Sequence, residues 1–124
     1  MGFTLELRNS EVRDVVADGD RVRIRFAAAS VRRAIGEHGW LPSVALTFEQ
    51  ARLQGDATLA FGKVADGSLR QDSRLAPRLP LPGTLAGAIE LTLHFANGTL
   101  LTVHAASLRL SMANDARFVE DLSC

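Results

Sequence analysis

The residues of this sequence best suited to binding chemistry are three arginines that alternate along one short stretch. Arg21, Arg23 and Arg25 are separated by single apolar residues. Successive side chains of a β-strand point to opposite faces, so the three guanidinium groups are expected on one face. Guanidinium groups bind carboxylates and phosphates. The row could therefore contact an acidic protein partner or nucleic acid.

The neighbours of this arginine row depend on how the chain turns before it. If Asp18-Gly19 forms a hairpin turn, either Glu11 or Asp14 lies opposite one of the arginines, and Arg13 lies beside them across the hairpin. The alternative interpretation is therefore an ordinary solvated face that carries charge pairs.

Trp40, the only tryptophan, lies in a Gly-Trp-Leu-Pro segment. An exposed tryptophan is a common anchor of protein interfaces. The alternative is that it is buried at the start of the following strand. We take Arg21, Arg23, Arg25 and Trp40 as the candidate partner-binding residues.

Catalytic and metal-binding patterns do not stand out. The three histidines, His38, His94 and His104, lack zinc-site spacing. In the register predicted below, His94 and His104 share a face about 13 Å apart, too far for one metal ion, and His104 faces Glu90. No nucleophile elbow, Walker loop or dinucleotide fingerprint occurs. We assign no catalytic residue, metal or cofactor, and the sequence favours a protein that is not an enzyme.

The apolar residues follow a period of two, which is typical of half-buried strands of antiparallel sheets. The alternating runs are Phe3-Leu5-Leu7, Val22-Ile24-Phe26, Val44-Leu46-Phe48 and Leu91-Leu93-Phe95. Three Ala-Asx-Gly triplets, at 17–19, 65–67 and 96–98, predict hairpin turns because Asx and Gly tolerate positive φ.

The side chains of the last hairpin determine its register. A three-residue loop at 96–98 pairs Leu93 with Leu101 and Leu91 with Val103, which gives one fully apolar face, whereas a two-residue turn mixes the faces. Beyond Val103 the apolar residues move from the odd-numbered to the even-numbered positions. We therefore expect a β-bulge near Ala105-Ala106. Strands that bend in this way predict an all-β fold, an antiparallel sandwich or small partly open barrel of about eight strands.

Helix is scarce in the prediction. Ser30 to His38 fits one short helix with Ser30 as N-cap and Gly39 as stop. The segment at about 74–83 contains three prolines and predicts an extended connector between two β halves, 1–64 and 84–124, of a single domain over 1–124. Its residues 74–80 also fit an Arg-x-x-Pro-x-x-Pro pattern read by Src-homology-3 domains, although that pattern is short and frequent.

Composition narrows the function classes. The 14 basic and 14 acidic residues cancel, so the positive charge of a typical nucleic-acid-binding domain is missing. The one cysteine, Cys124, is the last residue and cannot form an internal disulfide; we expect an idle reduced thiol, or else an oxidation-sensitive or partner-linking one. No secretory signal or membrane-spanning run is visible, which predicts a cytoplasmic protein without membrane contact.

Together these features predict a non-catalytic binding module: an adaptor or inhibitor that binds a protein partner, or a unit that self-associates. One alternative is a small-ligand or enzymatic β domain with a site assembled from dispersed residues such as His94, His104 and Glu90. The other is nucleic-acid binding through the arginine row.

Overall fold

The computed structural model, which describes residues 2–34, 36–76, 78–113 and 115–121, is almost entirely β-structure. Its strands are β1 (Phe3–Asp18), β2 (Arg21–Arg33), β3 (His38–Leu41), β4 (Val44–Glu49), β5 (Arg52–Gln54), β6 (Gly62–Gln71), β7 (Arg74–Leu75), β8 (Pro80–Leu81), β9 (Gly83–Phe95), β10 (Leu100–Met112) and β11 (Val119–Glu120). Among these residues the sole helix is a 3₁₀ turn, Ala57–Leu59, and no helix has the length and apolar character needed to cross a bilayer. The predicted all-β class is confirmed.

Six of the strands close into an antiparallel barrel. Hydrogen-bonded neighbours follow the order β1, β2, β4, β10, β9 and β6, and β6 pairs with β1 to complete the circle. The short strands β3 and β11 extend from β2, while β5, β7 and β8 pair with β10, β6 and β1. Closure gives the six central strands neighbours on both sides, which removes the free edges of an open sheet.

The barrel interior is filled by the residues that the alternation predicts. Ile24, Leu46, Leu91 and Leu93 are completely buried, and their neighbours in sequence mostly face outward. Burial of each such side chain contributes roughly 1.5–3 kcal/mol, so this interior is the main source of stability. β4 departs from the pattern because its outward residue Thr47 is also largely buried.

The predicted register of the last hairpin is confirmed. Leu93 pairs with Leu101 and Leu91 with Val103, and Gly98 has a φ of 90° in the loop. The expected irregularity at Ala105 is present as well, but the extra residue lies on the opposite strand β9, near Gly87 at φ 110°.

The predicted helix from Ser30 to His38 is wrong. Ser30 belongs to β2 and His38 to β3, and the two strands form an antiparallel pair. Burial of Val31 in the barrel interior outweighs the local capping signal. Gly39 does not stop a helix; a Cβ there would lie 2.4 Å from the Phe118 ring.

The triplet Ala65-Asp66-Gly67 does not form the predicted hairpin turn either. It lies inside β6, where the pairing with β9 shifts between Val64 and Asp66 as a bulge. Gly67 is needed because a Cβ would lie 2.8 Å from the Cβ of Leu7. Close packing in the core, rather than a turn, explains this glycine.

The predicted connector at 74–83 runs along the barrel. β7 pairs with β6, β8 pairs with β1, and Leu79 and Leu81 are buried. Strands from both sides of this segment complete the barrel, since β4 pairs with β10 and β6 with β9.

Leucine substitutions at a buried and an exposed position test this account of the core. Leu91→Ala removes a completely buried side chain and should lower the free energy of unfolding by about 2–5 kcal/mol. Leu75→Ala, at a position 62% exposed, should change it by less than about 0.5 kcal/mol. Urea denaturation measures both, and equal losses would contradict the assigned interior.

Candidate functional site

The predicted arginine row lies on the outer face of the barrel. Arg21, Arg23 and Arg25 alternate in β2 with Val22 and Ile24, which point into the core. β1 and β4 flank this part of β2, and all three arginines are exposed. The strand pleat therefore presents their guanidinium groups together, as the sequence predicts.

Two of the three arginines are held by carboxylates. Arg21 donates from Nε to Glu49, with an Nε–Oε2 distance of 2.9 Å, and this contact raises the pKa of Arg21. Arg25 donates from Nε to Asp14 Oδ1 at 2.8 Å and from its terminal nitrogen to Oδ2. Of the two acidic residues that the sequence offered, Asp14 is the partner, because its Cα lies opposite that of Arg25.

Arg13 and Arg23 differ from these pairs. Among the residues that the structure describes, neither makes an ion pair with a carboxylate. Arg13 is the extra residue of a bulge in β1, where the pairing with β2 shifts between Val12 and Asp14. Such a bulge re-aims a side chain. Here it places Arg13 beside the row.

Arg13, Arg23 and Arg25 line one concave surface, which we call the arginine cleft, with a volume of about 340 Å³. The rest of its lining comes from Phe26 of β2, the start of β4 and the end of β10, and includes Ser43, Ser111 and Met112. The hydrogen bond from Arg25 lowers the pKa of the Asp14 carboxyl, and the charges of Arg25, Arg13 and Arg23 add to this effect. The pKa of Asp14 thus reports positive potential from all three arginines.

Trp40, the fourth candidate residue, does not join the arginines. It lies half-buried in β3 and lines a second concavity of about 490 Å³, which we call the tryptophan cleft. The chemically active side chains around it are those of Asn9, Glu11, His38, Trp40, Lys63 and Asp121.

A chain of hydrogen bonds beside this cleft has the residue types of a serine hydrolase triad. Ser30 Oγ lies 2.7 Å from His38 Nε2, and His38 Nδ1 lies 3.2 Å from Asp121 Oδ2. The serine is only 1% exposed, and Glu6 Oε1 at 3.2 Å competes for its single hydroxyl proton. Because a nucleophile must reach substrate, we interpret the chain as a clamp that fixes the His38 ring.

Sequence reasoning missed this cluster for a specific reason. His38 and Trp40 are two residues apart and therefore share one face of a strand, a signal that the predicted helix obscured. His94 and His104 stay apart as expected, and His104 Nε2 lies 3.6 Å from Glu90. No group of three or more metal-ligating side chains was found within the described ranges.

Two other sequence features fall elsewhere. Leu79 and Pro80 of the Src-homology-3 pattern are held against the barrel, since Leu79 is buried and Pro80 pairs with Thr4. Cys124 lies outside the described residues.

Comparison with known protein families, curated proteins and solved structures found no match for this chain.

The polar clamp depends on Ser10, which is completely buried. Its Oγ accepts the N–H of Ser30 at 2.8 Å and donates to the Glu6 carbonyl at 2.6 Å. Ser10→Ala should lower the free energy of unfolding by about 1–3 kcal/mol because both groups lose their partner. Ser68→Ala, at a half-buried position, is the control and should lower the free energy of unfolding less. Equal losses for the two variants in urea denaturation would contradict the role of Ser10.

The Asp14–Arg25 pair predicts a pH dependence. Because the folded-state pKa of Asp14 lies below its ordinary 3.8, the pair stabilises the fold above the unfolded pKa and is lost as pH falls through the folded pKa. A carbon-13 NMR titration of Asp14 should give a midpoint below 3.8, and Arg25→Ala should raise it. An unchanged midpoint in Arg25→Ala would show that the hydrogen bond is not the cause.

Proposed function

We propose that this protein is a non-catalytic binding module that uses the arginine cleft to hold a carboxylate-rich segment of a partner protein. The observation that carries the proposal is that Arg13 and Arg23 have no ion-pair partner among the described residues, yet line one cleft with Arg25. Their planar forks of N–H donors match the geometry of carboxylates. Asp14 pairs with Arg25 alone. Carboxylates of a partner then pair with Arg13 and Arg23.

The chemistry of the cleft favours an acidic protein segment over nucleic acid. Nucleic-acid binding draws its affinity from many phosphate contacts, whereas the whole chain carries no net charge and this cleft offers two arginines that lack an ion-pair partner among the described residues. Single-stranded nucleic acid also needs exposed aromatic rings for base stacking, and the one ring in the lining, Phe26, is 2% exposed. Carboxylates on an extended protein segment need neither many positive charges nor exposed aromatic rings.

Barrel closure weakens the case for self-association. An open sheet offers backbone edges to a second copy, but each of the six central strands already pairs on both sides. The two-residue strands at the ends of the sheet path, β8 and β11, offer little backbone for pairing. The proposed partner is therefore a different protein.

A cytoplasmic location fits a chain whose single cysteine cannot form an internal disulfide.

The test measures binding of a fluorescein-labelled oligoglutamate peptide by fluorescence anisotropy, with oligoglutamine of equal length as the uncharged control. The double variant Arg13→Ala/Arg23→Ala should bind the acidic peptide roughly tenfold or more weakly, because each arginine supplies charge-assisted hydrogen bonds. Arg21→Ala is the matched control, since this arginine belongs to the same row but is paired with Glu49 and lies outside the cleft. Binding should also weaken steeply between about 50 and 500 mM salt.

Retention of the native NMR spectrum establishes that the double variant is folded. Equal peptide binding by the double variant and the parent would overturn the proposal. Tighter, cleft-dependent binding of a single-stranded oligonucleotide than of the peptide would overturn it in favour of nucleic acid.

A further inference from the structure

We propose that the tryptophan cleft is a second binding site, separate from the arginine cleft, for a small zwitterion of the α-amino-acid type with an apolar side chain. A volume of about 490 Å³ is within the range of small-molecule sites. Three properties of the cleft lead to this ligand class: a fixed aromatic wall, an opening in the sheet, and charges of both signs.

The aromatic wall is held in place before any ligand arrives. Both ring nitrogens of His38 are engaged, Nε2 by Ser30 and Nδ1 by Asp121. The His38 ring packs edge-on against Trp40, with centroids 5.4 Å apart and an interplanar angle of 74°. A wall that is already ordered loses little side-chain entropy on binding. Trp40 thus offers a positioned apolar surface, and Ala28 adds to it.

The opening in the sheet comes from a large bulge in β1. Glu6 pairs with Ser30 and Glu11 with Ala28, so four residues of β1 lie opposite one residue of β2. Within this bulge Asn9 has a φ of 72°, a left-handed conformation that costs free energy in a non-glycine residue. Bulges and strained residues of this kind concentrate at functional sites. Asn9 is one of the residues that line the cleft.

The charges around the cleft are mixed. Glu11 and Asp121 contribute carboxylates, while Lys63 contributes an ammonium group from β6, directly opposite Glu11. A purely anionic ligand would meet the two carboxylates, and a purely cationic one would meet Lys63. A zwitterion satisfies both signs, with its carboxylate on Lys63 and Asn9 and its ammonium group on Glu11 and Asp121. Its apolar side chain then lies against Trp40.

The experiment uses the fluorescence of Trp40, which reports on this cleft alone because the chain has one tryptophan and no tyrosine. The full-length protein is titrated with L-phenylalanine, with N-acetyl-phenylalanine, which lacks the ammonium group, and with phenethylamine, which lacks the carboxylate. We expect a saturable change with L-phenylalanine, and at least about tenfold weaker binding of each analogue because each loses one charge-assisted contact.

Two variants separate this inference from the proposed function. Lys63→Gln should weaken L-phenylalanine binding by about tenfold, because the ligand's carboxylate loses its cation, and should not weaken binding of phenethylamine, which carries no carboxylate. Arg13→Ala/Arg23→Ala should leave both titrations unchanged, because neither arginine lines the tryptophan cleft. The absence of a saturable change with L-phenylalanine, or equal binding of all three compounds, would overturn the inference whatever the arginine cleft binds.

Discussion

Closure of one sheet into a six-stranded barrel is the constraint on which the rest of the structure depends. Once β6 pairs with β1, every inward position of the six strands must be filled by a side chain that fits the interior. Ile24, Leu46 and Leu91 fill it and are completely buried. Their outward neighbours are then free to be polar, because they do not fill the interior. The arginine row of β2 is one result of this division.

The two clefts owe their existence to irregularities in β1. A regular strand would pair residue by residue with β2 and present a smooth outer face. Instead, the bulge between Glu6 and Glu11 opens the sheet beside Trp40, and the shift at Arg13 adds a third arginine to the row. The first bulge would leave the N–H of Ser30 without its ladder partner, and the buried hydroxyl of Ser10 replaces it. One strand therefore shapes both surfaces.

Charge pairing distinguishes the two surfaces chemically. The chain as a whole is neutral, so a local excess of one charge arises only where acidic and basic side chains are unequal in number. At the arginine cleft Asp14 pairs with Arg25 alone, and Arg13 and Arg23 have no ion-pair partner among the described residues, which leaves positive potential. At the tryptophan cleft Lys63 faces Glu11, and Asp121 contacts His38, so both signs are present. The first surface suits an anionic segment and the second a zwitterion, as proposed above.

The sequence by itself determined the all-β class, the inward residues of the main strands, the register of the hairpin from Leu93 to Leu101 and the shared face of Arg21, Arg23 and Arg25. These follow from a period of two and from local turn geometry. Barrel closure, the bulges of β1 and the meeting of His38 with Asp121 were decided only by tertiary structure. Each depends on contacts between residues distant in sequence: the pair from 38 to 121 spans 83 positions, and no local pattern encodes that proximity. The predicted helix at Ser30 failed for the same reason, since burial in the closed sheet outweighs a local cap.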